Sequence, residues 1–236
     1  DKRNVAVIAG MAAGFGETLA RELSQAGYAV AGLSRTAAKV SDLAQEIGHS
    51  GHLYRDYACN LGNADEVAHT FKEIEIAHGA PSVLIYNAMQ LVAKPFAELT
   101  PEDFEQSWRS TCCGAMVTAQ AALPGMLSRG GGTIIFTGAT ASIKASARFA
   151  AFASAKFALR GLAQSLAREF GPQGVHVVHA IIDGIIWGPQ SQQRFNVKRE
   201  NCLEPEEIAK IYLQLIEQHS CAWTHEFDLR PSVEKF

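Results

Sequence analysis

The sequence predicts a doubly wound α/β domain, a parallel sheet with helices on both faces. Three observations carry that prediction. Short apolar runs alternate with helix-like runs along the whole chain. The strand-like runs are mostly apolar throughout rather than alternating, as strands covered on both faces must be. The first apolar run leads through a glycine-rich turn into the first helical run.

Each element follows from local signals. Val5–Ala9 reads as the first strand and Glu17–Ala26 as the helix after it. Tyr28–Leu33 is the second strand, and Ala37–Ile47 the second helix. Leu53–Cys59 is a weaker strand, followed by a helix over Ala64–His78. Ser82–Tyr86 is a strand, and Glu102–Ser128 is one long helix. Thr133–Thr137 is a strand before a second long helix, Arg148–Phe170. Val175–Ile182, Pro205–His219 and Glu226–Leu229 read as strand, helix and short last strand. Gly27, Gly79, Gly130 to Gly132 and Gly171 mark helix ends. No repeat or linker divides the chain, so residues 1–236 read as a single domain.

Composition narrows the partners. The chain has 236 residues, is 47% hydrophobic and carries a formal net charge of -3. That charge offers no basic footprint for nucleic acid, and no apolar run is long enough to span a membrane. The opening D-K-R-N carries no signal-peptide pattern. Cys59, Cys112, Cys113, Cys202 and Cys221 lack metal-ligand spacing. Together these features predict a cytoplasmic location and no metal.

The turn G-M-A-A-G-F-G places Gly10, Gly14 and Gly16 between strand and helix. A pyrophosphate must approach the backbone there and meet a helix N-terminus. A Cβ at Gly10 or Gly14 would block the approach or demand an unfavourable φ. The turn therefore predicts a dinucleotide. The second strand ends in Ser34, with Arg35 and Thr36 following, where an acid would bind ribose hydroxyls. A guanidinium flanked by hydroxyls suits a 2′-phosphate, so NADP(H) is expected over NAD(H).

The glycine spacing, the Tyr86-Asn87-Ala88 run after the fourth strand and Lys156 in the helix after the fifth together resemble the short-chain dehydrogenase/reductase family. The resemblance spans Val5 to Arg230. It implies a seven-stranded Rossmann sheet of order 3-2-1-4-5-6-7. It also implies a homodimer or homotetramer joined through the two long helices, acting on a small-molecule substrate. Cofactor contacts implied in the first turn are Gly10, Ala13, Gly14, Phe15 and Gly16, with Ser34 and Arg35 at the second strand. Asn60, in the place of the family's aspartate, and Leu61 would lie by the adenine. Asn87, Ala88 and Met89 replace Asn-Ala-Gly near the ribose and adenine. Lys156, Gly184 and Ile186 would serve the nicotinamide side, under a substrate lid around residues 185–203.

The same resemblance exposes losses. The family's tyrosine position is Phe152, its serine position is Ala139, and its helix asparagine falls on Thr111. The Pro-Gly after the sixth strand is Asp183-Gly184, and the following threonine falls on Gly188. Phenylalanine has no proton to exchange. Lys156, Ser142 and Asp183 are the candidate catalytic residues, with Thr140, Lys144, Ser146 and Arg148 nearby. His176 and His179 read as core histidines. Three readings follow: an NADP(H)-dependent oxidoreductase with a relocated proton donor, a non-redox isomerase or lyase, or a non-catalytic dinucleotide-binding module.

Overall fold

In the computed structural model, which describes residues 4–36 and 41–234, seven strands form one parallel sheet in the order β3-β2-β1-β4-β5-β6-β7. They are β1 Val5–Ala9, β2 Ala29–Ser34, β3 Tyr54–Ala58, β4 Val83–Tyr86, β5 Gly132–Thr137, β6 Val175–Ile182 and β7 Glu226–Leu229. The helices are α1 Phe15–Gln25, α2 Ser41–His49, α3 Ala64–His78, α4 Pro101–Trp108, α5 Gly114–Arg129, α6 Ala150–Phe170, α7 Pro189–Arg194 and α8 Pro205–Ile216. The expected fold class and strand order are both present. The strand order reverses between β1 and β4, so a crevice opens at the carboxyl ends of these strands.

Side-chain alternation divides the core into two layers. Val5, Val7 and Ala9 of β1 join Leu84, Tyr86, Ile134 and Phe136 beneath α3, α5 and α6. Ala6 and Ile8 of the same strand join Val83, Ile85 and Ile135 beneath α1 and α8. Neither face of the central strands meets water, which is why their sequences carry no polar alternation.

Four elements depart from the sequence expectations. Residues 37–40 of the expected second helix lie outside the described residues, and α2 runs to His49. The long helix expected over Glu102–Ser128 is interrupted by a π turn at Arg109–Cys113. A side chain from β4 meets the turn there: the Tyr86 hydroxyl donates to the Ser110 carbonyl at 2.6 Å. Gly114 makes room, since a Cβ there would lie 2.4 Å from the same hydroxyl. Helix α6 starts at Ala150 rather than Arg148, because Arg148 has φ 73, which no α-helix continues. The lid region is not plain loop, for it holds α7 and a single turn at Arg199–Asn201.

The two long helices, which the resemblance makes the meeting face between copies, bury Ala115, Ala119, Ala122, Ala151, Ala153 and Ala155 within the chain and leave Ala121 and Ala158 half-buried. The exposed apolar groups on those elements are large ones: Phe104, Trp108, Met116 and Phe157.

Candidate functional site

The glycine turn is built as dinucleotide chemistry requires. Gly10 N and Met11 N both donate to Leu33 O, at 2.9 and 2.8 Å, which ties the turn to β2. Gly10 has φ 98, and a Cβ there would lie 2.4 Å from Ala88 N. Asn87 N donates to Ala9 O at 2.8 Å, so Asn87 and Ala88 close against the turn. Gly14 has φ 91, and a Cβ there would make only ordinary contacts, with Pro189 Cδ at 3.6 Å and Gly188 Cα at 3.8 Å. Conformation, not crowding, selects glycine at that position.

Helix α1 leaves its first N–H groups turned to this cradle. The Phe15 and Gly16 amides find no acceptor among the described residues. Glu17 reaches back to Gly14 N at 3.5 Å. The Phe15 ring is buried edge-on against Tyr212 of α8, 5.7 Å between centroids, which anchors the helix start. Free amides at a helix N-terminus fit a pyrophosphate.

At the tip of β2, Arg35 and Thr36 are exposed and the Ser34 hydroxyl donates to Thr36 O at 3.0 Å. Beyond β3, the Asn60 carbonyl oxygen accepts from Gly62 N at 3.1 Å, so it shapes its own turn. Leu61 is buried beside it, and Met89 is exposed beyond β4. Gly184 has φ 152 and packs on Leu203 and Pro231, while Ile186 forms a bridge with Leu203.

The candidate catalytic residues gather at the carboxyl ends of β5 and β6. Lys156 is buried, and its Nζ donates to Thr137 O at 2.7 Å. No carboxylate pairs with it among the described residues, and burial pushes its ammonium down to about 7. The buried Phe152 ring sits beside it, with the centroid 5.7 Å from Nζ. Ser142 is fully buried and accepts from Ala139 N at 3.1 Å, closing the 140–142 turn. Thr111 is fully buried in the π turn, its hydroxyl without a partner among the described residues.

Asp183 is buried and engaged on both oxygens. Oδ1 accepts from the Thr140 hydroxyl at 2.5 Å, and Oδ2 lies 3.3 Å from Arg230 Nη2. Asp183 N donates to Leu229 O at 2.8 Å, fixing the backbone. Arg230 escaped the sequence reading because its partner lies on another strand end, a contact no local pattern encodes. Thr140 was visible only as a neighbour of Ala139.

The two histidines of β6 are core groups. His179 Nδ1 contacts Glu226 Oε2 at 2.9 Å, and Arg160 holds the same carboxylate at 2.7 and 2.6 Å. Burial drives His179 down to about 4, so it stays neutral despite that neighbour. His176 stacks on Trp223, 4.8 Å between centroids. No group able to hold a metal occurs among the described residues, and no helix there is long and apolar enough to cross a membrane.

Comparison with known proteins gives one consistent answer. Residues 4–196 match the short chain dehydrogenase family model. A short-chain dehydrogenase from Rhodopseudomonas palustris is 33% identical, with 97% of this chain and 98% of that one covered and a TM-score of 0.84. A metagenomic short-chain oxidoreductase solved in complex with NADP is 25% identical, with 98% of each chain covered and a TM-score of 0.84. A D-threitol dehydrogenase of Mycolicibacterium smegmatis is 27% identical over 173 residues, 73% of this chain and 66% of that enzyme. An uncharacterised oxidoreductase of Staphylococcus aureus is 24% identical over 227 residues, 96% of both chains.

Proposed function

The chain belongs to the short-chain dehydrogenase family, and we propose that it works as an NADP(H)-dependent oxidoreductase whose proton chemistry is carried without a tyrosine. The carrying observation is the pairing of a glycine turn with positive φ at Gly10 and Gly14 with a buried Lys156 held on Thr137 O. The Phe15 and Gly16 amides would hold the pyrophosphate. Arg35, with Ser34 and Thr36, would hold the 2′-phosphate. Lys156 would hold the nicotinamide ribose, with Asn60, Leu61 and the Asn87–Met89 run lining the adenosine side. The bound nicotinamide supplies or accepts a hydride.

The chain's own residues must then manage one proton. Phe152 and Ala139 can neither donate nor accept it. Asp183 can take it, Ser142 fixes the turn that carries Ala139 and Thr140, and Lys156 shapes the charge beneath. Segment 185–203 would cover a small substrate. The relative crystallised with NADP supports the choice of dinucleotide, as does the lack of an acid at the tip of β2.

Steady-state NADPH oxidation over a carbonyl panel, and NADP⁺ reduction over an alcohol panel, test this reading. Turnover in either direction supports it. Saturable NADP(H) binding with no turnover on either panel would assign the non-catalytic module, and turnover without net cofactor change the isomerase or lyase.

Cofactor choice gives a sharper expectation. A charge-assisted phosphate contact is worth about 1.5–3 kcal/mol. Arg35→Ala is therefore expected to weaken NADP(H) by about tenfold or more and leave NAD(H) nearly unchanged in calorimetric titration. Equal affinity of the parent for both cofactors would refute the preference.

Assembly follows from the exposed aromatics. We infer a homodimer or homotetramer in which α4, α5 and α6 meet a second copy through Phe104, Trp108, Met116 and Phe157. Sedimentation at micromolar concentration is expected to show a dimer or larger, and Trp108→Glu with Phe157→Glu is expected to yield monomers. A parent that sediments as a monomer would refute this.

A further inference from the structure

We propose that the Thr140 hydroxyl, backed by Asp183 and Arg230, is the group that exchanges the proton with the substrate, an inference that rests on the oxidoreductase reading above. Thr140 follows the end of β5 and Asp183 follows the end of β6, neighbouring strands whose carboxyl ends face the crevice where open α/β sheets bind ligands. The 140–142 turn packs against α6, the helix that carries Phe152 and Lys156. The turn that carries the hydroxyl therefore follows Ala139 directly and packs on the helix of Phe152.

Exposure then divides the roles. The Asp183 side chain is 3% exposed and cannot itself meet a substrate. Thr140 is half-buried, and its hydroxyl donates to Asp183 Oδ1. A threonine hydroxyl alone is a poor acid and a poor base. Its contact with Asp183, at 2.5 Å, has the length of an O–H···O⁻ bond, in which the carboxylate draws the proton. A buried carboxylate is costly unless paired, and Arg230 at 3.3 Å is that pair. Arg230 is itself held by Asp228 at 2.7 Å, so the chain runs from β5 to β7.

The proton step balances on these atoms. In alcohol oxidation the substrate O–H breaks and its proton passes to Thr140 Oγ1. The proton already on Oγ1 passes to Asp183 Oδ1, leaving a neutral carboxyl group. The carbon–oxygen double bond forms as the carbinol hydrogen leaves with its electron pair to an oxidised nicotinamide dinucleotide. Reduction runs the same transfers backwards.

A competing account makes Thr140–Asp183–Arg230 a staple across three strand ends. Asparagine at 183 would keep the bond from Thr140, because its carbonyl still accepts, but it gives up the ion pair with Arg230 and cannot take a proton; the thermal midpoint reads the first loss and kcat the second. Serine at 140 would keep the hydroxyl, and valine would remove it at nearly constant volume. The test compares the parent with Thr140→Val, Thr140→Ser and Asp183→Asn. It reads kcat and KM on the best alcohol of the panel, the solvent deuterium isotope effect, the NADP⁺ dissociation constant and the thermal midpoint. Thr140→Val and Asp183→Asn are expected to lower kcat by about 10²-fold or more, with KM and NADP⁺ affinity within a few-fold. Thr140→Ser is expected to keep kcat within about tenfold and to retain the solvent isotope effect. Thr140→Val with kcat unchanged, in a parent that turns over, would overturn this inference alone. So would an Asp183→Asn variant as active as the parent. A parent that binds NADP⁺ but turns over no alcohol or carbonyl would overturn both this inference and the oxidoreductase reading.

Discussion

Phe152→Tyr combined with Ala139→Ser is expected to raise NADPH-driven reduction of ketones and aldehydes by about 10²-fold or more, the range that a placed general acid contributes. The expectation rests on what surrounds the two positions. Lys156 Nζ already lies 5.7 Å from the centre of the Phe152 ring, so the new phenol would be mounted beside a cation-forming group. A cation close to a phenol favours its ionised form and lowers its pKa. Ala139 has an extended backbone, φ -160 and ψ 171, which serine adopts without strain. Its N–H is already taken by Ser142, so the added hydroxyl is not drawn into that bond. Thr111→Asn can be added if the double variant alone gains little. The measurement is steady-state NADPH oxidation, parent against double variant, at matched cofactor occupancy. No gain in a double variant that is folded and saturated with NADPH would show that more than the two missing groups separates this site from its relatives.

Lys156→Met is expected to stabilise the cofactor-free protein below neutral pH by ~2 kcal/mol, with the gain shrinking as pH rises. The sign follows from linkage. The amine titrates at about 7 in the fold against an ordinary value of 10.5. Between those values the unfolded chain binds a proton that the folded chain does not, so parent stability rises with pH across that window. Below pH 7 both states are protonated, and the fold bears the whole cost of a buried ammonium. That cost is offset in part by the bond to Thr137 O, which is why the expected gain is smaller than the shift alone would suggest. Methionine keeps the length and apolar stem of lysine and removes the charge. Denaturant midpoints of parent and variant at pH 6.5 and pH 9.5 check it. A variant less stable than the parent at pH 6.5, or a gap that does not narrow at pH 9.5, would contradict the buried-charge account. The same variant is expected to bind NADP(H) more weakly, because the ribose loses its ammonium partner.

Sequence reading reached furthest where the physics is local. A run such as Val5–Ala9 is apolar at every position because both of its faces are covered, and that can be read without coordinates. The turn at Gly10 and Gly14 needs positive φ, and only glycine supplies it without strain, so the cradle is legible from three glycines and their spacing. That Phe152 and Ala139 carry no hydroxyl is equally legible, and the family resemblance is what implies that hydroxyls would stand at those two positions. Helix interruptions were harder. The π turn at Arg109–Cys113 meets a tyrosine from β4, a partner that no window around residue 109 contains. The start of α6 depends on Arg148, whose positive φ is held in part by Lys94 N donating to its carbonyl from another loop.

By itself, then, the sequence determined the strand and helix alternation, the glycine turn, the cation at the tip of β2 and the absence of a hydroxyl on residue 152. These are properties of residue type and short-range order, and the backbone obeys them wherever the chain folds. Only the tertiary structure decided which polar groups remain available for chemistry. It enclosed Ser142 in its own turn, turned the Asn60 carbonyl to Gly62, and buried the small residues of α5 and α6 against their own sheet. It also brought Thr140, Asp183 and Arg230 together from the ends of three strands. The reason is that hydrogen bonds and ion pairs saturate. A side chain's chemistry depends on which partner reaches it first, and in a parallel sheet those partners are separated by a whole crossover of sequence.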